Sequence, residues 1–336
     1  MKKLARLVSA SALALGLAAP ATAAAAEHTL RLATLAPKNS SWGKIYDVWS
    51  KAVTKKTDGR LEMQMFYNGV QGNEDAMVSK MRTGQLDGAA ITSLGLSLIH
   101  KSVLVLQLPG VVQTWDQLDQ IRKELGGEVD AGIRAAGFNV VGWGDVGLVR
   151  QFSKGFEVHV PADVKGHHPA VWRNEPMGPA VYSTIGNVVP VPVDAMEVLP
   201  TLRSGSIDMI NAPALAAEQL QWTPYLDHVT DQVTVTAVGG LVFRQDALDK
   251  VPADLKATFE ELQKKASAAQ LGRIRKLDAE AYERTTTKMK VVHISDAEKE
   301  QWADLLRKVV TRLAHGTYDK DLVNRVLKLR GHKPVE

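Results

Sequence analysis

The chain has 336 residues, of which 45% are hydrophobic and 23% charged, with a formal net charge of +4 and no cysteine. The missing cysteine excludes disulfides, thiol catalysis, iron–sulfur clusters, thiolate zinc sites and a lipidated N-terminal cysteine. Three of the basic residues, Lys2, Lys3 and Arg6, precede the apolar run Leu7 to Ala19, and Ala24-Ala25-Ala26 follows as a small-residue cleavage site before Glu27. That order predicts a secretory signal peptide over residues 1–26, because 13 apolar residues are too few to span a bilayer. Removing it takes the net charge from +4 to +1, so the basic balance is no argument for a nucleic-acid partner. The expected product is an exported, unlipidated periplasmic protein whose remaining length suits two domains.

Strands and amphipathic helices then alternate. Thr29 to Ala33 reads as a strand, and Trp42 to Lys56 as a helix with apolar residues at Trp42, Ile45, Val48, Trp49 and Val53. Leu61 to Tyr67 is a second strand closed by Asn68-Gly69, and Met77 to Arg82 a helix stopped at Gly84. This alternation predicts parallel α/β layers. Met81-Arg82-Thr83-Gly84-Gln85-Leu86-Asp87 recurs as Leu202-Arg203-Ser204-Gly205-Ser206-Ile207-Asp208, each copy leading into a strand, Ala89 to Thr92 and Met209 to Asn211. Helix–glycine–strand junctions can look alike by chance. The alternative is two related α/β halves whose strand ends face a common cleft, where open α/β sheets bind ligands.

Gly142-Trp143-Gly144-Asp145-Val146-Gly147 matches G-x-G-x-x-G after a strand-like Asn139-Val140-Val141. A dinucleotide site needs a helix directly behind the glycines, whereas Leu148 to Phe152 continues as strand, so a glycine-lined crossing segment is predicted. His159, His167 and His168 lie on a loop without a metal-ligand pattern. Trp42, Trp115, Trp143, Trp172 and Trp222 sit beside Gly/Pro-rich or polar turns. Each alone fits ordinary packing, but several converging on a cleft would make an apolar pocket. From Pro252 to about Lys290 a long helix, or two abutting ones, is predicted. Ser295-Asp296-Ala297-Glu298 opens another as a capping box, and a last helix covers about Lys320 to Leu329. Neither a catalytic motif nor a cofactor-binding motif is apparent, and no enzyme is expected.

The ordered set Ala33-Thr34-Leu35-Ala36-Pro37 with Trp42, Arg82 to Gly88, Gly142 to Asp145, Pro161 to Gly166, Pro190-Val191-Pro192 and Arg203 to Asp208 resembles the DctP family. These are periplasmic solute receptors of tripartite ATP-independent periplasmic (TRAP) transporters. The resemblance implies a periplasmic-binding-protein type II-like α/β fold, with two α/β domains around a cleft, crossing strands and a long domain-spanning helix. Residues 27–149 with about 237–260 would form domain I and 150–236 domain II. The long helix would cover 252–290 and the C-terminal helices 295–336.

The expected partners are a small-molecule ligand and integral-membrane TRAP permease subunits. Most of the family clamps a ligand carboxylate with an arginine soon after the Lys-Gly pair, but the position aligned here on Lys165-Gly166 is Ala170, followed by Val171-Trp172 and Arg173. The family's asparagine before proline is likewise replaced, by Ala212 before Pro213. With Leu199-Pro200 and Gln221-Trp222, these departures resemble a subgroup associated with a tetratricopeptide-repeat partner. They point to an apolar or amphipathic ligand rather than a dicarboxylate. The expected pocket residues are Trp42, Leu108, Pro109, Asp145, Trp172, Arg173, Pro213 and Trp222. A receptor for a small organic acid, or a ligand sensor on the same fold, is the alternative.

Overall fold

The computed structural model describes residues 26–336; apart from its last residue, the predicted leader lies outside them. Strand β1 (His28–Thr34) buries Leu30 and Leu32 and leaves Arg31 partly exposed between them, the alternation a strand requires. Helix α1 (Ser41–Lys56) starts at Ser40, whose side chain accepts from the Gly43 N–H, and ends with Lys55 and Lys56 in its last turn. Both ends suit the helix dipole. Next come β2 (Leu61–Phe66), α2 (Glu74–Arg82), β3 (Gly88–Thr92) and α3 (Ser93–Ile99). Strands β2 and β3 flank β1, both parallel to it. Helix α4 (Trp115–Ala135), opened by a Thr114–Gln117 capping box, leads into the 16-residue strand β4 (Phe138–Ser153).

The order then repeats as β5 (Ala170–Trp172), α5 (Met177–Ile185), β6 (Val191–Val193), α6 (Val198–Ser204), β7 (Met209–Pro213) and α7 (Ala214–Gln219). Strand β6 is parallel to β5, and Pro169 forms a parallel bridge to Met209. The sequence repeat is thus a structural one. Gly84 and Gly205 follow α2 and α6 at φ 77° and 75°, where a side chain would be strained. Asp87 donates its N–H to the Arg31 carbonyl and accepts the Arg31 N–H at 2.9 Å. Asp208 does the same with His168, accepting its N–H at 2.8 Å. Chance similarity would not reproduce this reciprocal pair at the same point of both units.

The chain returns through β8 (His228–Thr230), β9 (Val235–Arg244) and α8 (Gln245–Asp249) to α9 (Ala253–Thr286). It closes with β10 (Lys290–Val292), α10 (Asp296–Ala314) and α11 (Lys320–Leu329). The large sheet runs β10-β8-β4-β9-β3-β1-β2, with β7 also on β4. It is mixed rather than parallel throughout, because β4 and β9 run antiparallel over Phe138 to Val149 and β9 is antiparallel to β3. The first crossing enters the second repeat and the other comes back, so they must oppose each other.

Helix α9 rests on both repeats. Phe259 packs against Trp49 and Phe243 near one end, with ring centroids 5.8 and 5.6 Å apart. Ile274 and Ala281 join the core of Ile210, Leu215 and Val229 near the other. The G-x-G-x-x-G run is what lets it do so. A Cβ at Gly142 would collide with Ser267 and lie 2.7 Å from Gln263 Nε2, one at Gly144 would lie 3.2 Å from Gln270 Nε2, and one at Gly147 would collide with Pro213. These glycines serve backbone-to-helix approach, and β4 continues as strand past them, with register irregularities against β9 at Val140/Gly142 and Asp145/Gly147.

Candidate functional site

A cavity of about 320 Å³ lies where β3, β7 and their following helices meet the crossing strands, within the size of small-ligand pockets. Thr92 and Ser93 reach it from the end of β3, Asn211 to Pro213 from the end of β7, and Gly142, Val149 and Val238 from the crossing pair. Trp42 enters from the start of α1, Trp172 from the end of β5, and Trp222 from the segment after α7. The Trp172 and Trp222 rings sit 6.2 Å apart at 37°. Of the five tryptophans beside turns, these three reach the cavity. Trp115 instead lies 4.8 Å under the Arg275 guanidinium, and Trp143 donates its indole N–H to Asp130 at 3.0 Å.

Of the sequence-predicted residues, Pro109, Asp145, Arg173 and Pro213 also line the cavity. Leu108 does not. It is 0% exposed in the core of Leu104, Leu118, Val309 and Leu313, because neighbours on extended backbone face opposite ways and Pro109 takes the cavity side. Asp145 sits on the wall with each carboxylate oxygen already engaged by an arginine. Its oxygens accept from Arg122 Nη1 and from Arg275 Nε, both at 2.6 Å, and its side chain is 0% exposed.

Arg173 is the only cationic side chain on the wall among the described residues. It is exposed and committed: Nη2 lies 2.8 Å from Glu197 and Nε 3.5 Å from Asp194. Ala170 is part of the wall, so the position where the resemblance expects an arginine presents a methyl group. Five carboxylates line the cavity: Glu74, Asp75, Asp145, Glu175 and Asp194. Glu74 accepts from the Thr92 N–H and hydroxyl and from the Gly95 N–H. Burial raises its pKa and those donors oppose the rise. Glu175 accepts from Met177 N–H at 2.6 Å and Gly178 N–H at 2.8 Å. Burial without a counter-cation pushes its carboxyl up to about 7.

Hydrogen bonds also join the two repeats across the cavity mouth. Ser41 N–H donates to Gln219 Oε1 at 2.8 Å, Gln219 Nε2 donates back to Ser41 Oγ at 2.7 Å, and Asn73 Nδ2 donates to Asp194 at 3.1 Å. Asn174 reaches Asp75 in the same way. The histidines serve elsewhere: His167 pairs with Asp208 at 2.8 Å and stacks on Phe156, and His159 lies between Glu157 and Glu298. Sequence reasoning did not select the polar wall residues Gln107, Gln151, Glu175, Tyr182 and Asn211. The available signal was Gln151, a polar residue in phase with Val149 on a buried strand.

The family model for bacterial extracellular solute-binding protein family 7, DctP, matches residues 32–316. The chain belongs to this family. DctP proteins are extracellular solute-binding proteins, not enzymes, and through the family this chain is a solute receptor. A solute-binding protein of Verminephrobacter eiseniae is 24% identical over 257 residues, 76% of both chains. The 2,3-diketo-L-gulonate-binding periplasmic protein of Escherichia coli is 26% identical over 59% of this chain and 60% of its own. Among solved structures, a TRAP periplasmic solute-binding protein of Sulfitobacter with bound β-D-galacturonate superposes with a TM-score of 0.81 at 17% identity. The match covers 88% of this chain and 98% of that one. One from Chromohalobacter salexigens with bound D-glucuronate gives 0.81 at 18%, covering 89% and 99%. At these identities the likeness establishes the type II-like fold of this DctP protein.

Proposed function

We propose that this DctP receptor carries a ligand with a substantial hydrophobic body, bound between its two repeats and released to the permease. The observation that carries the reading is the cavity wall. Four tryptophans, Trp42, Trp172, Trp222 and Trp302, line it with Ala170 and Ala212, and its one guanidinium among the described residues is paired with two carboxylates. A carboxylate ligand is best held by a free bidentate donor, and to engage Arg173 that way it would compete with Glu197 and Asp194 for Nη2 and Nε. An apolar body needs only to cover the rings: removing about 200 Å² of apolar surface from water gains roughly 5 kcal/mol. The proposed domains divide near residues 149/150 and 236/237, with α9 spanning both. The proposed cleavage after Ala26 is read by N-terminal sequencing of the exported protein. Val171-Trp172, Ala212-Pro213 and Gln221-Trp222 also motivate a tetratricopeptide-repeat protein as a further partner, tested by co-purification from the native periplasm.

A second reading is an organic-acid receptor, favoured by the galacturonate and glucuronate bound in the two solved relatives. Mass spectrometry of small molecules released by denaturing the protein, after gentle detergent-free purification, separates the two. A stoichiometric lipid or other apolar species is the expected result. A stoichiometric organic acid overturns the hydrophobic reading and returns Arg173 to a clamping role.

A further inference from the structure

One wall of the cavity carries polar groups that the protein itself leaves unused, and all of them are uncharged. Gln151 is 5% exposed and lines the cavity. Its backbone N–H is taken by Thr230 Oγ1 at 3.2 Å, while among the described residues its side-chain amide has no hydrogen-bond partner. The amide therefore faces the cavity with its hydrogen-bonding capacity uncommitted, available to water or to a ligand that replaces it. Asn211 is the residue directly opposite Gln151 in the β4–β7 pairing, so the two side chains share one face of the sheet. Asn211 uses its Nδ2 to donate to the Tyr182 hydroxyl at 2.7 Å. That leaves Asn211 Oδ1 as an acceptor and the Tyr182 O–H as a donor, with Tyr182 only 3% exposed on the same wall.

We infer that Gln151, backed by Asn211 and Tyr182, receives the uncharged hydrogen-bonding head of the ligand, such as an amide, carbonyl or hydroxyl. This rests on the hydrophobic-body reading above and names the chemistry of the other end of the same molecule. Gln151 supplies two N–H donors and a carbonyl acceptor, a set that pairs with a neutral group of either polarity. An anionic head would find no cation here. It would also meet Glu175, which lies close enough to Tyr182 to push the phenol's pKa up alongside the larger effect of burial. Gln107 extends the pattern: its Oε1 accepts from Ser93 Oγ at 2.8 Å, and its amide nitrogen has no partner among the described residues.

The test uses the mature chain, freed of bound ligand by unfolding and refolding. It compares octanamide, ionised octanoate and chlorooctane, which share one chain length and differ in the head. Titration is followed by the fluorescence of the cavity tryptophans. Octanamide is expected to bind at least about tenfold more tightly than octanoate. Gln151→Leu should weaken octanamide about three- to tenfold, the loss of one or two net hydrogen bonds, and leave chlorooctane nearly unchanged. Tighter binding of octanoate, or equal weakening of octanamide and chlorooctane in Gln151→Leu, overturns the anchor. If Gln151→Leu does not refold, Gln151→Glu keeps the shape and should weaken octanoate more than octanamide; the reverse order counts against the proposal. Should no octyl probe bind while galacturonate or succinate saturates the protein, the hydrophobic-body reading fails and the anchor with it. That result differs from tight octanoate binding, which removes the anchor alone.

Discussion

Asp145 was a ligand candidate in the sequence and is a structural residue in the fold. Its carboxylate joins α4, β4 and α9 through Arg122 and Arg275, and Arg275 is held in turn by Asp119 at 2.6 Å. Removing the charge leaves two guanidiniums short of their partner, and breaking a buried pair from one side costs about 3–5 kcal/mol. Asp145→Asn should therefore lower the urea midpoint by that equivalent, and an unchanged midpoint would show the network to be dispensable. Glu175 gives a pH signature. Its native carboxyl titrates at about 7 against an ordinary 4.5 because burial favours the neutral acid. The native state then holds a proton that the unfolded chain has released, so this stability is complete below the ordinary value and is lost as pH rises through about 7. Its size is at most about 3 kcal/mol. Glu175→Gln should flatten the fall in melting temperature between those limits, in part only, because Glu74 and Asp278 are shifted upward by burial as well. A melting curve series identical to that of the unsubstituted protein would remove Glu175 from the account.

The glycines of β4 carry the element-scale argument. Gly142, Gly144 and Gly147 meet α9 through Gln263, Ser267, Gln270 and Asp278 in turn, and Asp278 caps the backbone of Leu148 at 2.8 Å and of Leu215 at 3.0 Å. A side chain at Gly142 must displace Ser267 Oγ and Gln263 Nε2, the groups through which α9 meets the crossing strand. Gly142→Ala should cost about 1–3 kcal/mol, as overpacking does, read as a lower denaturant midpoint with the slope unchanged. Gly59→Ala is a useful contrast: nothing lies within 4 Å of its added Cβ, and its cost comes from φ 79° alone. Because Gly142 is not at positive φ, an unchanged midpoint for Gly142→Ala would show that close helix approach does not require glycine there.

At the scale of the whole molecule, the two repeats are bridged beside the cavity by polar hydrogen bonds, Ser41 with Gln219 and Asn73 with the Asp194 carboxylate among them. The double variant Asn73→Ala with Gln219→Ala removes three such bonds, each worth at least about 0.5 kcal/mol net, and should weaken ligand retention by at least about tenfold. The fraction of protein carrying its co-purified ligand in native mass spectrometry measures this, and full retention would exclude a role for these contacts in holding the cavity shut. While the structure made the stretch from Pro252 to about Lys290 one helix and the Arg82-Thr83-Gly84 and Arg203-Ser204-Gly205 similarity a duplication, the sequence by itself determined the alternation of strands and helices, the caps at Ser295 and Gly84 and the helical character of that stretch. Those are local properties, written in hydrophobic period, backbone preference and helix-end chemistry. It also marked the apolar half of the cavity, since Trp42, Trp172, Trp222 and Pro213 stand beside turns or strand ends and those ends face the cleft. Only the tertiary structure decided that Leu108 belongs to the core, that Asp145 and Arg173 are spent on ion pairs, and that Gln151, Asn211 and Tyr182 form one neutral wall. Whether a polar group is free depends on which distant residues reach it, and sequence spacing does not encode contacts such as that of Arg275 with Asp145 across 130 positions.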